Sequence, residues 1–162
     1  MAGKEAILVI LDVGPSMNSR YQDSDSQSRL DLGIDSIKLL IQQKLLFSKN
    51  HALGIVLFGT EETENDLNAQ MGGYENITVA SALEVPSLNL VRFMDQIQTT
   101  PQSADFVDAL VVGVDMLVSF CGKKKYNKRI FLITDGNSKV NDADLNDIVS
   151  TMNENEIKLN VM

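Results

Sequence analysis

The chain has 162 residues, of which 44% are apolar and 22% are charged, so it is expected to form one globular domain, or most of one. This composition excludes a disordered tail, a collagen-like repeat and a membrane-spanning bundle. The net charge of −8, from 22 acidic and 14 basic side chains, argues against nucleic acid and anionic membranes as direct ligands of this segment. The single cysteine, Cys121, rules out an internal disulfide and favours a reducing compartment.

No targeting segment is predicted from the sequence. The apolar run at residues 6–11 is too short for a secretory signal, and no small-residue cleavage site follows it. The longest apolar stretch, residues 106–121, is interrupted by Asp108 and Asp115 and is too short to span a bilayer.

The first half of the chain alternates between strand and helix patterns. Residues 6–11 are continuously apolar, which predicts a buried parallel strand. Apolar residues then recur every three or four positions from 30 to 45, which predicts an amphipathic helix. The apolar run at 52–58 predicts the second strand. Residues 60–73 are acidic and turn-rich, and residues 77–79 predict a short strand at an edge or in a hairpin.

The second half repeats this alternation. The spacing predicts a helix over 87–98, and residues 105–121 are apolar almost all round, which is typical of a helix buried on several sides. A strand is predicted over 129–134, a helix over 142–152 and a last strand over 157–162.

This order predicts an α/β fold with three layers, in which a mostly parallel sheet carries helices on both faces, as in von Willebrand A and Rossmann-like domains. The whole chain, 1–162, is predicted to be one such domain with the C-terminal part of the sheet missing. Ligands of such sheets bind at the carboxyl ends of the strands. The loops after residues 11, 58 and 133, and the loop before residue 105, are therefore the places to search for a site.

Oxygen-bearing side chains in these loops suggest a site for a hard cation such as Mg²⁺. The pattern resembles the metal-ion-dependent adhesion site of von Willebrand factor A domains, which has Asp-x-Ser-x-Ser in the first loop, Thr in the second and Asp in the third. Asp12, Ser16 and Asp135 match that pattern, but Gly14 and Ala104 stand where two oxygen ligands belong. Because each lost ligand must be replaced by water, the site is predicted to be degenerate, with no metal and no other cofactor. The alternative is a magnesium-dependent adhesion-type domain that binds its ligand through this site.

Catalysis is not predicted. Asp12 could act as a phosphoryl-transfer nucleophile, but Gly14 replaces the second carboxylate that such enzymes need, and no glycine loop for a nucleotide is present. His51, the only histidine, is predicted to be a solvated turn residue, and Cys121 a buried small hydrophobe. The lysines at 123–125 are interpreted as a solvated helix end that complements the helix dipole, with a phosphate-binding role as the alternative.

Four motifs occur in the order of one known family. They are Asp-Val-Gly-Pro-Ser-Met at 12–17, Phe-Gly-Thr at 58–60, Tyr-x-Asn-Ile-Thr-Val at 74–79 and Ala-Asp-Phe-Val-Asp-Ala-Leu at 104–110. Together they resemble the N-terminal von Willebrand A-like domain of the larger subunit of the Ku heterodimer, along the whole chain.

The resemblance implies a non-enzymatic interaction domain in the nucleus. In the Ku family this domain lies at the periphery of a ring that binds DNA ends in non-homologous end joining, and it docks repair and telomere factors, some through short Ku-binding peptides. The implied partners are such basic, apolar-anchored peptides, the small Ku subunit through the full-length chain, and DNA ends only through the intact heterodimer. No membrane partner is implied.

A candidate docking surface lies around the acidic segment at 60–73. Leu67 and Tyr74 are large apolar residues that a turn does not need, and Val111 and Val114 of the long helix are predicted to reach a groove beside them. An apolar groove with an acidic rim suits a basic peptide that has an apolar anchor. The alternative is that Leu67 and Tyr74 only fold the segment onto the domain. The predicted acidic rim consists of Glu61, Glu62, Glu64 and Asp66.

Overall fold

The computed structural model describes residues 3–21, 27–47, 50–138 and 140–162. Within these residues five strands form one sheet in the order β3-β2-β1-β4-β5. The pairs β1–β2, β1–β4 and β4–β5 are parallel, and β3 is antiparallel to β2. This confirms the mostly parallel sheet. The strands are β1 (Glu5–Asp12), β2 (Ala52–Phe58), β3 (Ile77–Glu84), β4 (Asn127–Ile133) and β5 (Ile157–Val161).

Helices cover both faces of the sheet and complete the three layers. The helices α1 and α3 pack together on one face, and α4 and α5 pack together on the other. No helix in the described part of the chain is both long and apolar enough to cross a membrane. The helices are α1 (Arg29–Phe47), α2 (Asp66–Met71), α3 (Leu88–Met94), α4 (Phe106–Cys121) and α5 (Leu145–Glu154).

The central strand β1 separates two apolar cores. Its alternate side chains point to opposite faces, as the pleat of a strand requires, so Leu8 and Ile10 join the core under α4 while Val9 and Leu11 join the core under α1. Gly113 lets α4 approach β1 closely, because a Cβ atom there would lie 2.7 Å from Leu8 Cδ2 and 2.8 Å from Ile10 Cδ1. The predicted burial of α4 on several sides follows from this approach.

Three elements differ most from the sequence-based prediction. β3 continues to Glu84 instead of ending at 79; beyond 79 it is an edge strand whose side chains are mostly partly buried or exposed, and its register opposite β2 shifts. α2 lies inside the segment predicted to be only turns; it is six residues long and buries no side chain fully, so it has no apolar periodicity. α3 ends at Met94 rather than at 98.

The topology gives the sheet two chemically distinct ends. The carboxyl ends of β1, β2 and β4 lie together with the start of α1, where Arg29 contacts Asp135. The amino ends of β1 and β4 lie together with the last turn of α1, where Lys44 contacts Glu5. These ends are called the carboxyl end and the amino end below.

Candidate functional site

Asp12 is the last residue of β1 and lies at the carboxyl end, where only 4% of its surface is exposed. Its Oδ1 accepts a hydrogen bond from the Gly14 amide at 2.8 Å, and its Oδ2 accepts one from the Thr134 hydroxyl at 2.7 Å. Burial raises the pKa of Asp12 above its ordinary value of 3.8, and the charge of Asp135 adds to the rise, whereas the two hydrogen bonds oppose it. Asp12 therefore ties the first loop to the loop after β4.

Two side chains, those of Ser16 and Arg29, hold Asp135 at the carboxyl end. Its Oδ1 accepts a hydrogen bond from the Ser16 hydroxyl at 3.1 Å, and its Oδ2 pairs with Arg29 Nη1 at 2.7 Å. The Asp135 side chain is 6% exposed and that of Arg29 is 38% exposed. The guanidinium thus supplies the positive charge that a buried carboxylate requires.

The residues present do not fit a hard cation at this position. Asp12, Ser16 and Asp135 converge as predicted, but both carboxylates already use their oxygens in hydrogen bonds or the Arg29 pair. Gly14 offers no side-chain ligand, and a Cβ atom there would lie 3.0 Å from Asp12 Oδ1. The fourth predicted position, Ala104, packs against the core under α4. Among the described residues, no group of three or more His, Cys, Asp or Glu side chains is arranged to hold a metal ion.

A first groove, the α2–α4 groove, contains Leu67 and has a volume of about 620 Å³. Leu67 is half-buried and packs against the core under α4, while its remaining surface faces the groove. Glu64 and Asp66 supply the acidic side, with Asp115 of α4. The other lining residues are Thr63, Asn65, Asn68, Ala69, Val79, Ala82, Leu83, Val112, Met116, Ser119 and Phe120.

A second groove, the α4–α5 groove, contains Tyr74 together with Val111 and Val114 and has a volume of about 350 Å³. The predicted apolar residues therefore divide between two grooves on either side of α4, and Asp115 lines both. Val114 is almost fully buried and lies at the base, whereas Val111 and Tyr74 are half-buried. The remaining lining residues are Val118, Asp144, Asp147, Ile148 and Thr151.

Negative charge accumulates where α4 begins, beside the α4–α5 groove. Burial raises the pKa of the Asp108 carboxyl, and the charges of Asp105 and Asp144 raise it further. Glu61 and Glu62 lie in the loop after β2 and line neither groove. Their place in a docking surface stays a prediction.

Asn65 positions both predicted anchors, although the sequence analysis did not single it out. Its side-chain amide donates hydrogen bonds to the carbonyl oxygens of Tyr74, at 3.1 Å, and Ile77, at 2.9 Å. Its Oδ1 accepts a hydrogen bond from the Asn68 amide and caps α2. Asn before a short acidic segment is an N-cap signal, and it would have indicated α2.

Two other residues singled out in the sequence lie far from these grooves. His51 is not solvated as predicted: its side chain is 14% exposed, and Nδ1 lies 3.0 Å from Glu5 Oε2 at the amino end. It is buried because β2 begins beside the last turn of α1. Cys121 is buried as predicted, and burial raises the pKa of its thiol.

Comparison with known proteins decides the family. The model of the Ku70/Ku80 N-terminal alpha/beta domain matches residues 6–162. The chain belongs to this Ku family. Its relatives include X-ray repair cross-complementing protein 5 of Dictyostelium discoideum, 38% identical over 161 residues, and the KU80 subunit of ATP-dependent DNA helicase 2 of Arabidopsis thaliana, 39% identical over 132 residues. The first match covers 98% of this chain and 20% of the relative, and the second covers 81% and 18%.

Solved structures support the fold of this Ku domain. The VWA domain of SpRpn10 has a TM-score of 0.71 at 14% identity, covering 98% of this chain and 74% of that one. BatB from Bacteroides thetaiotaomicron has a TM-score of 0.69 at 18% identity, covering 98% and 65%. The chain is thus an N-terminal von Willebrand A-like domain of the Ku80-type subunit, and it spans about a fifth of the length of the relatives above.

Proposed function

We propose that this Ku domain is a non-enzymatic docking module that recruits partner proteins to DNA ends during double-strand break repair in the nucleus. The observation that carries the proposal is the pair of apolar, acid-rimmed grooves on either side of α4. The membership of the Ku family supports the place of the module in a Ku heterodimer.

The ligand is a short peptide that carries basic side chains around one apolar anchor. Interface energy is concentrated where an apolar anchor fills a pocket, and charge complementarity steers the approach. Leu67 and the apolar wall of the α2–α4 groove receive the anchor, while Glu64 and Asp66 attract the basic side chains. Asp115 lines both grooves, so a peptide that crosses α4 can contact Tyr74 in the α4–α5 groove.

The domain itself is proposed to have no helicase or other enzymatic activity. The names of several relatives describe subunits of ATP-dependent DNA helicases, but this chain corresponds to about a fifth of their length and has no phosphate-binding glycine loop. Repair and telomere factors with Ku-binding peptides are the proposed ligands. The small Ku subunit and DNA ends are proposed to be bound through the full-length protein.

A peptide titration tests this proposal. A fluorescent peptide with four Lys or Arg residues around one Trp would be titrated with the wild-type chain and with Leu67→Arg. We expect Leu67→Arg to weaken binding at least tenfold, because it puts a cation where the anchor packs; the melting temperature of each variant is measured alongside, so that lost folding is distinguished from lost binding. The matched control is Leu39→Arg, which adds the same charge at a 58% exposed leucine of α1, on the other face of the sheet.

Two results would contradict the proposal. One is equal affinity of the wild type and Leu67→Arg for the peptide, and the other is an equal loss in Leu39→Arg. The titration is repeated with a chelator, which we expect to have no effect because Asp135 is paired with Arg29 rather than with a metal. Loss of binding in the chelator would favour the magnesium-dependent adhesion-type alternative instead.

A further inference from the structure

The amino end of the sheet gathers most of the positive charge of this acidic chain. Eight of its 14 Lys and Arg residues flank or begin the elements that meet there. One precedes β1, one lies in the last turn of α1, three follow α4, two begin β4 and one begins β5. This set, called the basic end, consists of Lys4, Lys44, Lys123, Lys124, Lys125, Lys128, Arg129 and Lys158.

The negative groups beside the basic end do not balance it. Glu5 contacts Lys44, Arg129 and His51 at once, with Arg129 Nη2 at 3.9 Å. Glu154 and Glu156 are the other neighbouring carboxylates, whereas Glu84 lies on the far edge strand. The C-termini of α1, α4 and α5 add about half a negative charge each. A surplus of roughly three to four positive charges therefore remains.

The pairing of β4 with β5 brings like charges together. Arg129 and Lys158 are direct register partners on these adjacent parallel strands. Like charges in that position destabilise a sheet, so an anionic ligand between them would relieve the repulsion. Within the described residues, Lys128 and Lys158 have no carboxylate within 4.0 Å, nor do the three lysines after α4.

Three cations of the basic end, Lys128, Arg129 and Lys158, line a polar groove of about 550 Å³. Asn127 and Asn153 also line it, and Glu5 and Glu156 are its carboxylates. The guanidinium of Arg129 also lies over the Phe131 ring, 5.9 Å from its centroid, which holds it in place. The groove therefore combines charged donors with amide donors, both of which contact phosphate oxygens in protein–DNA interfaces.

We propose that the basic end binds the phosphate backbone of nucleic acid, without reading its sequence, at a surface separate from the peptide grooves. Seven of the eight cations are lysines, which are depleted at protein–protein interfaces. A lysine ammonium is a compact, hydrated point charge that contacts phosphate without a fixed geometry. The net charge of −8 does not describe this surface, where the cations outnumber the neighbouring carboxylates of Glu5, Glu154 and Glu156.

A salt series on a labelled 20-base-pair duplex tests this surface. We expect the wild-type chain to bind weakly and with a steep salt dependence, since each phosphate neutralised contributes about −0.9 to the slope of log affinity against log salt. Lys124→Gln with Lys158→Gln should weaken binding at 50 mM salt by about fivefold or more and make the slope shallower by roughly 2. Both side chains are exposed, so the melting temperature should not change.

The matched control is Arg20→Gln with Arg92→Gln, which removes two exposed cations outside the basic end. This control should bind the duplex within about twofold of the wild type. An equal loss in both double variants would show that only net charge matters, and no binding by the wild type at 25 mM salt would refute the site. Tighter binding of polyglutamate than of the duplex would overturn the choice of nucleic acid in favour of an acidic protein partner.

Discussion

The carboxyl and amino ends of one sheet differ in sign of charge and in how each is held together. At the carboxyl end, Asp12 and Asp135 are nearly buried and join the loop after β1, the loop after β4 and the start of α1. At the amino end, the single carboxylate of Glu5 contacts three basic side chains, and further lysines surround it. In a parallel α/β fold, the residues that follow strands gather at one end of the sheet and the residues that follow helices gather at the other. An overall charge of −8 therefore describes neither end.

The two carboxylates that hold these ends also have opposite pKa shifts. Burial raises the pKa of Asp12. Burial would raise that of Glu5 as well, but the hydrogen bond and charge of Lys44, with His51 and Arg129, lower it below its ordinary value of 4.5. Burial therefore disfavours the ionised carboxylate at the carboxyl end, whereas the neighbouring cations favour the ionised carboxylate at the amino end.

The largest effect should come from separating α4 from the sheet, because this helix joins the two ends. Gly113→Val would place methyl groups against Leu8 and Ile10, which are fully buried. Overpacking of this kind should cost about 3 kcal/mol of the free energy of unfolding. Denaturant unfolding measures it, with Val112→Ala as a control that removes volume from the same helix. A loss below about 0.5 kcal/mol would mean that α4 is not tightly packed here.

A smaller loss of unfolding free energy is expected when only the hydrogen bonds at the carboxyl end are removed. Asp12→Ala leaves the Gly14 amide and the Thr134 hydroxyl without their partner, which should cost about 2 kcal/mol of unfolding free energy. Since the folded pKa of Asp12 lies above 3.8, its ionisation opposes folding, and the cost of the substitution should shrink as the pH rises through the interval above 3.8. Urea unfolding between pH 3 and 7 measures this trend. If the loss of unfolding free energy in Asp12→Ala grew over that interval, the raised pKa of Asp12 would be contradicted.

The smallest stability effect should come from the amino end. Glu5→Gln removes the charge that Lys44 and Arg129 contact, and we expect a loss of about 1 kcal/mol at pH 7, since these groups are partly exposed. The folded pKa lies below 4.5, so this stabilisation is present above 4.5 and disappears as the pH falls through the folded value. The same urea series measures it. A difference that persists unchanged at pH 3 would contradict the ion-pair role.

Much of this fold follows from local sequence patterns. The apolar runs in β1 and β2 and the three-to-four spacing in α1 predict elements that the structure confirms, because burial on one or both faces fixes the period of apolar residues. β3 beyond 79 and α2 escape this test, since an exposed edge strand and a six-residue helix bury too few side chains to leave a pattern.

The sites are predictable only in part. Asp12, Ser16 and Asp135 were expected to converge because parallel strands end at one edge. The Arg29–Asp135 pair joins residues 106 positions apart and has no periodic signal. Tyr74 and Leu67 are predicted to flank one groove, whereas they line two different grooves that share Asp115. The basic end depends on the order of β1, β4 and β5 in the sheet. Among its members, only the lysines at 123–125 form an evident cluster along the sequence.

The most direct test of two independent surfaces measures both ligands on both sets of variants. The basic peptide and the 20-base-pair duplex would each be titrated into the wild type, Leu67→Arg and Lys124→Gln with Lys158→Gln. We predict that Leu67→Arg loses the peptide at least tenfold and binds the duplex within about twofold of the wild type, and that the lysine variant does the reverse. Parallel losses of both ligands in either variant would contradict the separation of the peptide grooves from the basic end.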